Sequence, residues 1–146
     1  MLPLVAIGPC AQEHRDYLAE MQHFGDKWFH YIGVLENDDP ALPSAYAGSS
    51  VFLLPSQDEV QPISALEAMA ADCPVIITEN HSLDVLPDNS ALREVAPNDV
   101  EAISALASHL IAEPAPPGDL QNQVKHLSWK NTALQLRAIY DKLLSQ

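Results

Sequence analysis

Two carboxylates, Glu59 and Glu67, stand with seven residues between them in PSQDEVQPISALEAMAADCPVIIT, the stretch from Pro55 to Thr78. A carboxylate so placed repels phosphate, but it accepts two hydrogen bonds from a vicinal diol, the hydroxyl pair that a ribose or a hexose offers. Between the two acids the chain turns from loop to helix. Pro62 is tolerated best at a first helical position, where a missing N–H leaves no bond unmade, so a helix is expected to start there and run through Ile63, Leu66, Ala68, Met69 and Ala70. The first amides of such a helix lack intrahelical partners and carry a partial positive charge, which places an anion near Ile63 and Ser64. Diol acceptors on either side of an anion-binding turn make the geometry of a nucleotide-phosphate site.

The elements that must hold these residues follow from the apolar pattern. Val51 to Leu54 is too short for a helix and reads as a buried parallel strand stopped by Pro55; Ser56 to Gln61 is loop, and Val75 to Thr78 is the next strand. Leu2 to Gly8 and Phe29 to Gly33 are further strands, separated by a helix from about Gln12 to Phe24 with Tyr17, Leu18, Met21 and Phe24 on one face. A short helix is expected near Leu42 to Ala47, a fifth strand at Ala91 to Ala96, and a helix capped by Asn98 or Asp99 with Val100, Ile103, Ala107, Leu110 and Ile111 at helical spacing. Glu113 to Gly118, with three prolines, is the one clear linker; a polar helix and then Ser128 to Leu144 close the chain, with Trp129, Leu136, Tyr140 and Leu143 on one stripe. Trp129 and Tyr140 are expected to be core anchors of that last helix. Strands alternating with helices across short loops predict an α/β fold, a Rossmann-like parallel sheet covered on both faces, and 146 residues fit one soluble domain. Ligands in such sheets bind beyond the carboxyl ends of the strands.

The Glu–seven residues–Glu spacing, the Pro-Ser before it, the Glu-Ala-Met-Ala at Glu67 to Ala70 and the Cys-Pro-Val-Ile from Cys73 together resemble the donor-site signature of retaining glycosyltransferases of the two-domain, glycogen-synthase-like type, family 4. The resemblance covers most of the chain. LPLVAIG is similar to the second strand of that family's donor domain, FHYIG to its third, and SWKNTALQLRAIYDKL to its closing helix. It implies the C-terminal, nucleotide-sugar donor half of such an enzyme, with a nucleoside-diphosphate sugar as substrate, no further cofactor, and an N-terminal acceptor domain or partner chain to complete it. Carried over, Glu67 would bind the ribose hydroxyls, Glu59 with Val60 and Gln61 the donor sugar, and the amides of Ile63 and Ser64 the diphosphate.

The sequence also departs from that pattern. Gly is common in the family at the positions of Val60 and Pro62 and after the helix, where this chain has Asp72. A β-branched Val60 is expected to narrow the pocket or rotate the amides, and Asp72 to adopt a left-handed cap at some cost. The family's first strand and helix, with an Arg and a Lys that grip the diphosphate, have no counterpart by position. The chain holds seven Lys and Arg against twenty Asp and Glu, a net charge of −13, and none of the seven lies within ten residues of the Glu59–Glu67 loop. Such a field argues against nucleic acid and acidic membrane surfaces as partners and leaves local amides to bind a diphosphate. These departures support an alternative from a different class: a non-catalytic, transferase-like interaction or regulatory module, self-associating through exposed sheet surface.

Other residue types offer less. Cys10 and Cys73 lie in different elements without metal-like spacing and read as reduced thiols of a cytoplasmic protein, one that at most lies peripheral to the inner membrane. The opening MLPLVAIGPCA lacks the basic start of a signal peptide. The six histidines show no ligand spacing, so no metal site is expected. His81 lies after the Val75 strand on the side where a ligand would sit, and Asn80-His81-Ser82 is expected to start a helix. No Ser or Cys stands in a nucleophile motif, which leaves hydrolase chemistry without support.

Overall fold

The computed structural model describes residues 2–83 and 92–145. Their contacts form two compact units, Met1–Leu42 and Pro43–Gln146.

In the first unit β1 (Leu4–Ile7) pairs in parallel with β2 (Phe29–Gly33), connected by α1 (Arg15–Gly25) with a 3-10 turn on either side of it. The pairing slips between Ala6 and Ile7, so that Ile7 lies opposite Gly33. Gly33 has φ 88°, a left-handed value that glycine adopts without strain, and its carbonyl accepts from the amide of Gly8 at 2.8 Å. The hydroxyl of Tyr31 donates to the Gly8 carbonyl at 2.8 Å, closing the end of both strands. No described residue of this unit is buried.

The second unit carries the site. α2 (Ala41–Gly48) leads into β3 (Phe52–Leu54), α3 (Ile63–Ala70), β4 (Val75–Thr78), β5 (Arg93–Val95), α4 (Val100–Ala112), α5 (Asp119–Val124) and α6 (Trp129–Leu144). The sheet order is β3-β4-β5, all parallel, with Phe52 opposite Val75 and Ile76 opposite Arg93. β4 is central, and its four residues are all buried, because a strand flanked on both edges and covered on both faces has no wet side. Its alternation divides the core: Val75 and Ile77 join Ala65, Ala68 and Met69 of α3 and Leu120 and Val124 of α5, whereas Ile76 joins Val95 of β5 and Leu110 of α4. Each fully buried Ile or Met contributes about 1.5–3 kcal/mol, so the strand with most of them, β4, anchors the unit. Among the described residues no helix is long and apolar enough to cross a membrane.

Several expectations change. Pro62 is the N-cap of α3 and not its first helical residue; its ψ of 90° is extended, and the helix begins at Ile63. α5 is polar by composition, yet it buries Leu120 and Val124. Trp129 and Tyr140 are not core anchors: Trp129 is 87% exposed and Tyr140 55%. Ser128 caps α6 by accepting from the amide of Asn131, so the helix is begun by its cap while its apolar stripe stays wet. The described residues Asn80 to Leu83 are not helical; His81 forms a parallel bridge with Glu59. Residue Ala91 of the expected fifth strand lies outside the described residues; the strand itself runs Arg93–Val95.

Candidate functional site

The carboxyl ends of β3, β4 and β5 are linked by their loops. After β3, the amide of Glu59 donates to the Asn80 carbonyl at 2.8 Å, and the Val60 carbonyl accepts from the amide of Ser82 at 3.1 Å. The side chain of Asn80 donates to the Gln57 carbonyl at 2.9 Å, and Gln57 donates to the side-chain oxygen of Asn98 beyond β5 at 3.3 Å. An eight-residue loop that would otherwise be free is thereby sewn to its neighbours.

On this platform each of the two acids has a hydroxyl partner. The hydroxyl of Ser56 donates to Glu59 Oε1 at 2.6 Å, a short charge-assisted bond in a half-buried setting. Glu67 is exposed on α3 and accepts from the hydroxyl of Tyr46 on α2, Oη to Oε2 3.1 Å. The Tyr46 ring is held edge-on by Phe52, with centroids 5.5 Å apart. Burial first, then the charge and the hydrogen bond of Glu67, push the Tyr46 phenol up to about 12, so at neutral pH it is a donor. Glu67 Oε2 is thus held, and among the described residues no donor reaches Oε1.

Between the acids, α3 starts without help. Pro62 makes no side-chain cap, its carbonyl accepts from Ala65 at 3.1 Å, and among the described residues the amides of Ile63 and Ser64 at the helix end have no acceptor. Ser64 is half-buried and the Ile63 side chain exposed. Val60 is 80% exposed and engages the structure through its carbonyl. Gln61 is exposed. The structure therefore brings Glu59, Val60, Ile63, Ser64 and Glu67 along one loop-to-helix segment, with Gln61 among them. Among the described residues no group of three or more His, Cys, Asp and Glu is placed to hold a metal ion.

Asp72, a departure in sequence, is accounted for by what it caps. It has φ 62°, and its carboxylate accepts from the amides of Gly118 at 2.5 Å, Leu120 at 3.1 Å and Gln121 at 3.3 Å. The Gly118 amide foremost, with those of Gln121 and Leu120, holds this carboxyl below the usual range against a smaller desolvation effect. One residue thus ends α3 and caps α5, which secures the helix that carries Glu67.

The left-handed conformation expected of Asp72 is present, but sequence reasoning missed Tyr46, the capping of α5 by the Asp72 carboxylate, and His81 as a bridge residue. Their partners lie 21, 46 to 49, and 22 residues away in the chain, beyond any local pattern. The one local hint was Ser56, three residues before Glu59.

Comparison with known proteins places this fold. The family described as Glycosyl transferases group 1 matches residues 2–113. The O-antigen chain mannosyltransferase B of Escherichia coli is 36% identical over 123 residues, which is 80% of this chain and 31% of that protein. Sucrose-phosphate synthase from Thermosynechococcus elongatus superposes with a TM-score of 0.80 and 25% identity, over 97% of this chain and 38% of that one. The HepE protein of Anabaena, solved in complex with UDP, shares the fold with a TM-score of 0.75 and 14% identity, over 99% of this chain and 41% of that one. The chain thus spans about a third of the curated relative and about two fifths of the solved structures. With parallel sheets flanked by helices and a family match over most of its length, the chain belongs to the glycosyl transferases of group 1.

Proposed function

We propose that this chain is the nucleotide-sugar-binding part of a hexosyltransferase. The observation that carries the reading is the arrangement around α3: bare amides at Ile63 and Ser64, with Glu59 before them and Glu67 after, each acid steadied by a hydroxyl. A diphosphate fits the amides, the ribose diol fits Glu67, and the sugar hydroxyls fit Glu59, Val60 and Gln61. That the E. coli relative is named a mannosyltransferase and that the Anabaena neighbour was solved with UDP support a nucleoside diphosphate carrying a hexose. Among the described residues no side chain is placed as a nucleophile. Catalysis by this part consists of fixing the anomeric carbon and stabilising the departing diphosphate with the α3 amides, whose partial charge acts in the transition state as the leaving group gains charge. The acceptor is held by an additional domain or a partner chain.

A thermal-melt panel with UDP, GDP, ADP and the glucose and mannose conjugates of the first two tests this. Ligand at about 100-fold over its dissociation constant adds roughly 2.7 kcal/mol, several degrees for a chain of this size. A shift with one base, lost in Glu67→Ala, supports the site; flat curves with every ligand contradict it. The competing reading, an interaction module, draws on the wet stripe of α6 and the net charge of −13. It predicts concentration-dependent self-association by size exclusion together with flat melts.

A further inference from the structure

Resting on the donor-site reading, we propose that His81 is a positioning residue: it holds the Glu59 loop in place and so sets affinity for the sugar half of the donor, not for its nucleotide half. The side chain is only 9% exposed, although it belongs to a loop. Its Nδ1 accepts from the amide of Leu83 at 3.0 Å, which requires that nitrogen to be unprotonated. The proton is then on Nε2, which donates to Glu94 Oε1 at 3.0 Å. Only the neutral Nε2–H tautomer makes both bonds. Glu94 lies in β5, opposite Ile77 of the buried β4, so the imidazole is fastened to a rigid strand.

On the backbone side, the two residues that flank His81 grip the site loop. The Asn80 carbonyl takes the Glu59 amide, and the Ser82 amide gives to the Val60 carbonyl. The connection therefore runs from β5 through Glu94 and His81 to Glu59 and Val60. Glu67 is held otherwise, by α3 packing through Ala68 and Met69 and by Tyr46. Its position does not pass through His81. The two acids thus have separate supports, and removing one support separates their effects.

The test is titration calorimetry of the full chain with two matched pairs, UDP against UDP-glucose and GDP against GDP-mannose. His81→Ala is expected to weaken the sugar conjugate about tenfold, the worth of one hydrogen bond to a charged group, while the plain diphosphate changes less than about twofold. Glu94→Ala should reproduce that split without touching His81, and Glu94→Gln, which keeps an acceptor oxygen, should restore the native ratio. Equal weakening of both ligands, or no change in either, overturns the proposal. Amide hydrogen exchange separates this from failure of the donor reading. If the native chain binds none of the four ligands, the donor reading fails, and the positioning role is then judged by exchange alone. Faster exchange at Glu59 and Ser82 in His81→Ala, with Ile76 and Met69 unchanged, supports it; unchanged exchange at Glu59 and Ser82 overturns it.

Discussion

β2 and β4 are short parallel strands of similar apolar content, FHYIG and VIIT, yet every residue of β4 is buried and no described residue of the unit that holds β2 is. The difference lies in neighbours. β4 has a strand on each edge and helices on both faces, whereas within their own unit β1 and β2 pair with each other and β2 packs on α1. Leu4, Val5, Ile7, Ile32 and Val34 stay exposed as a result. An apolar pattern states a demand for cover, and the same pattern is met from within one unit and not from within the other. The candidate site stands on the covered unit, where rigid strand ends can hold two acids in register.

The largest effect that sharpens this contrast is chemical. Cys10 is half-exposed in the first unit, while burial pushes the Cys73 thiol in the second up to about 11. A thiol reagent at neutral pH should modify Cys10 on the order of a thousandfold faster than Cys73, which needs opening of the core, and Cys10→Ser should abolish the fast phase. Two phases of similar rate would break the comparison.

Next comes truncation of the core. Met69→Ala is expected to cost about 2–5 kcal/mol in urea denaturation, whereas Ile32→Ala, half-wet in the first unit, should cost less than about 1 kcal/mol. Similar losses would show that the first unit is packed in solution. Asp72→Ala should cost about 1 kcal/mol by removing a helix cap. The folded carboxyl is depressed, so its contribution is fully present above the unfolded value near 4 and is lost as pH falls through the folded value. The gap between native and variant stability should hold above about pH 5 and close in acid; a gap that widens in acid contradicts the cap. Smallest is Trp129→Ser on α6, within about 0.5 kcal/mol because nothing is uncovered.

Much of the covered unit was legible in the sequence. The run Val75 to Thr78 is fully apolar up to Thr78, so its bounds were readable as they stand; Asn98 or Asp99 announced α4, and it is Asp99 that accepts from the amide of Ala102 at 2.9 Å. The spacing of Glu59 and Glu67 located the candidate site. What the sequence withheld were partnerships across space. Asp72 looks like a poor substitute for glycine until Gly118 arrives beside it, and Trp129 looks like a core anchor because periodicity reports a face without saying what lies against it. His81 was read as a helix start since Asn-His-Ser also suits a cap; the pairing with Glu59 depends on two loops meeting at the ends of β3 and β4.

The proposed role of Glu67 as acceptor for a ribose diol is tested most directly by removing the diol. Titration calorimetry would compare the nucleoside diphosphate that shifts the melt with its 2′,3′-dideoxy analogue, on the native chain and on Glu67→Ala. The account predicts that losing the diol weakens binding to the native chain about tenfold or more, and that the variant binds both ligands equally weakly, since the two changes remove one interaction. Equal affinity of the native chain for both ligands would contradict it.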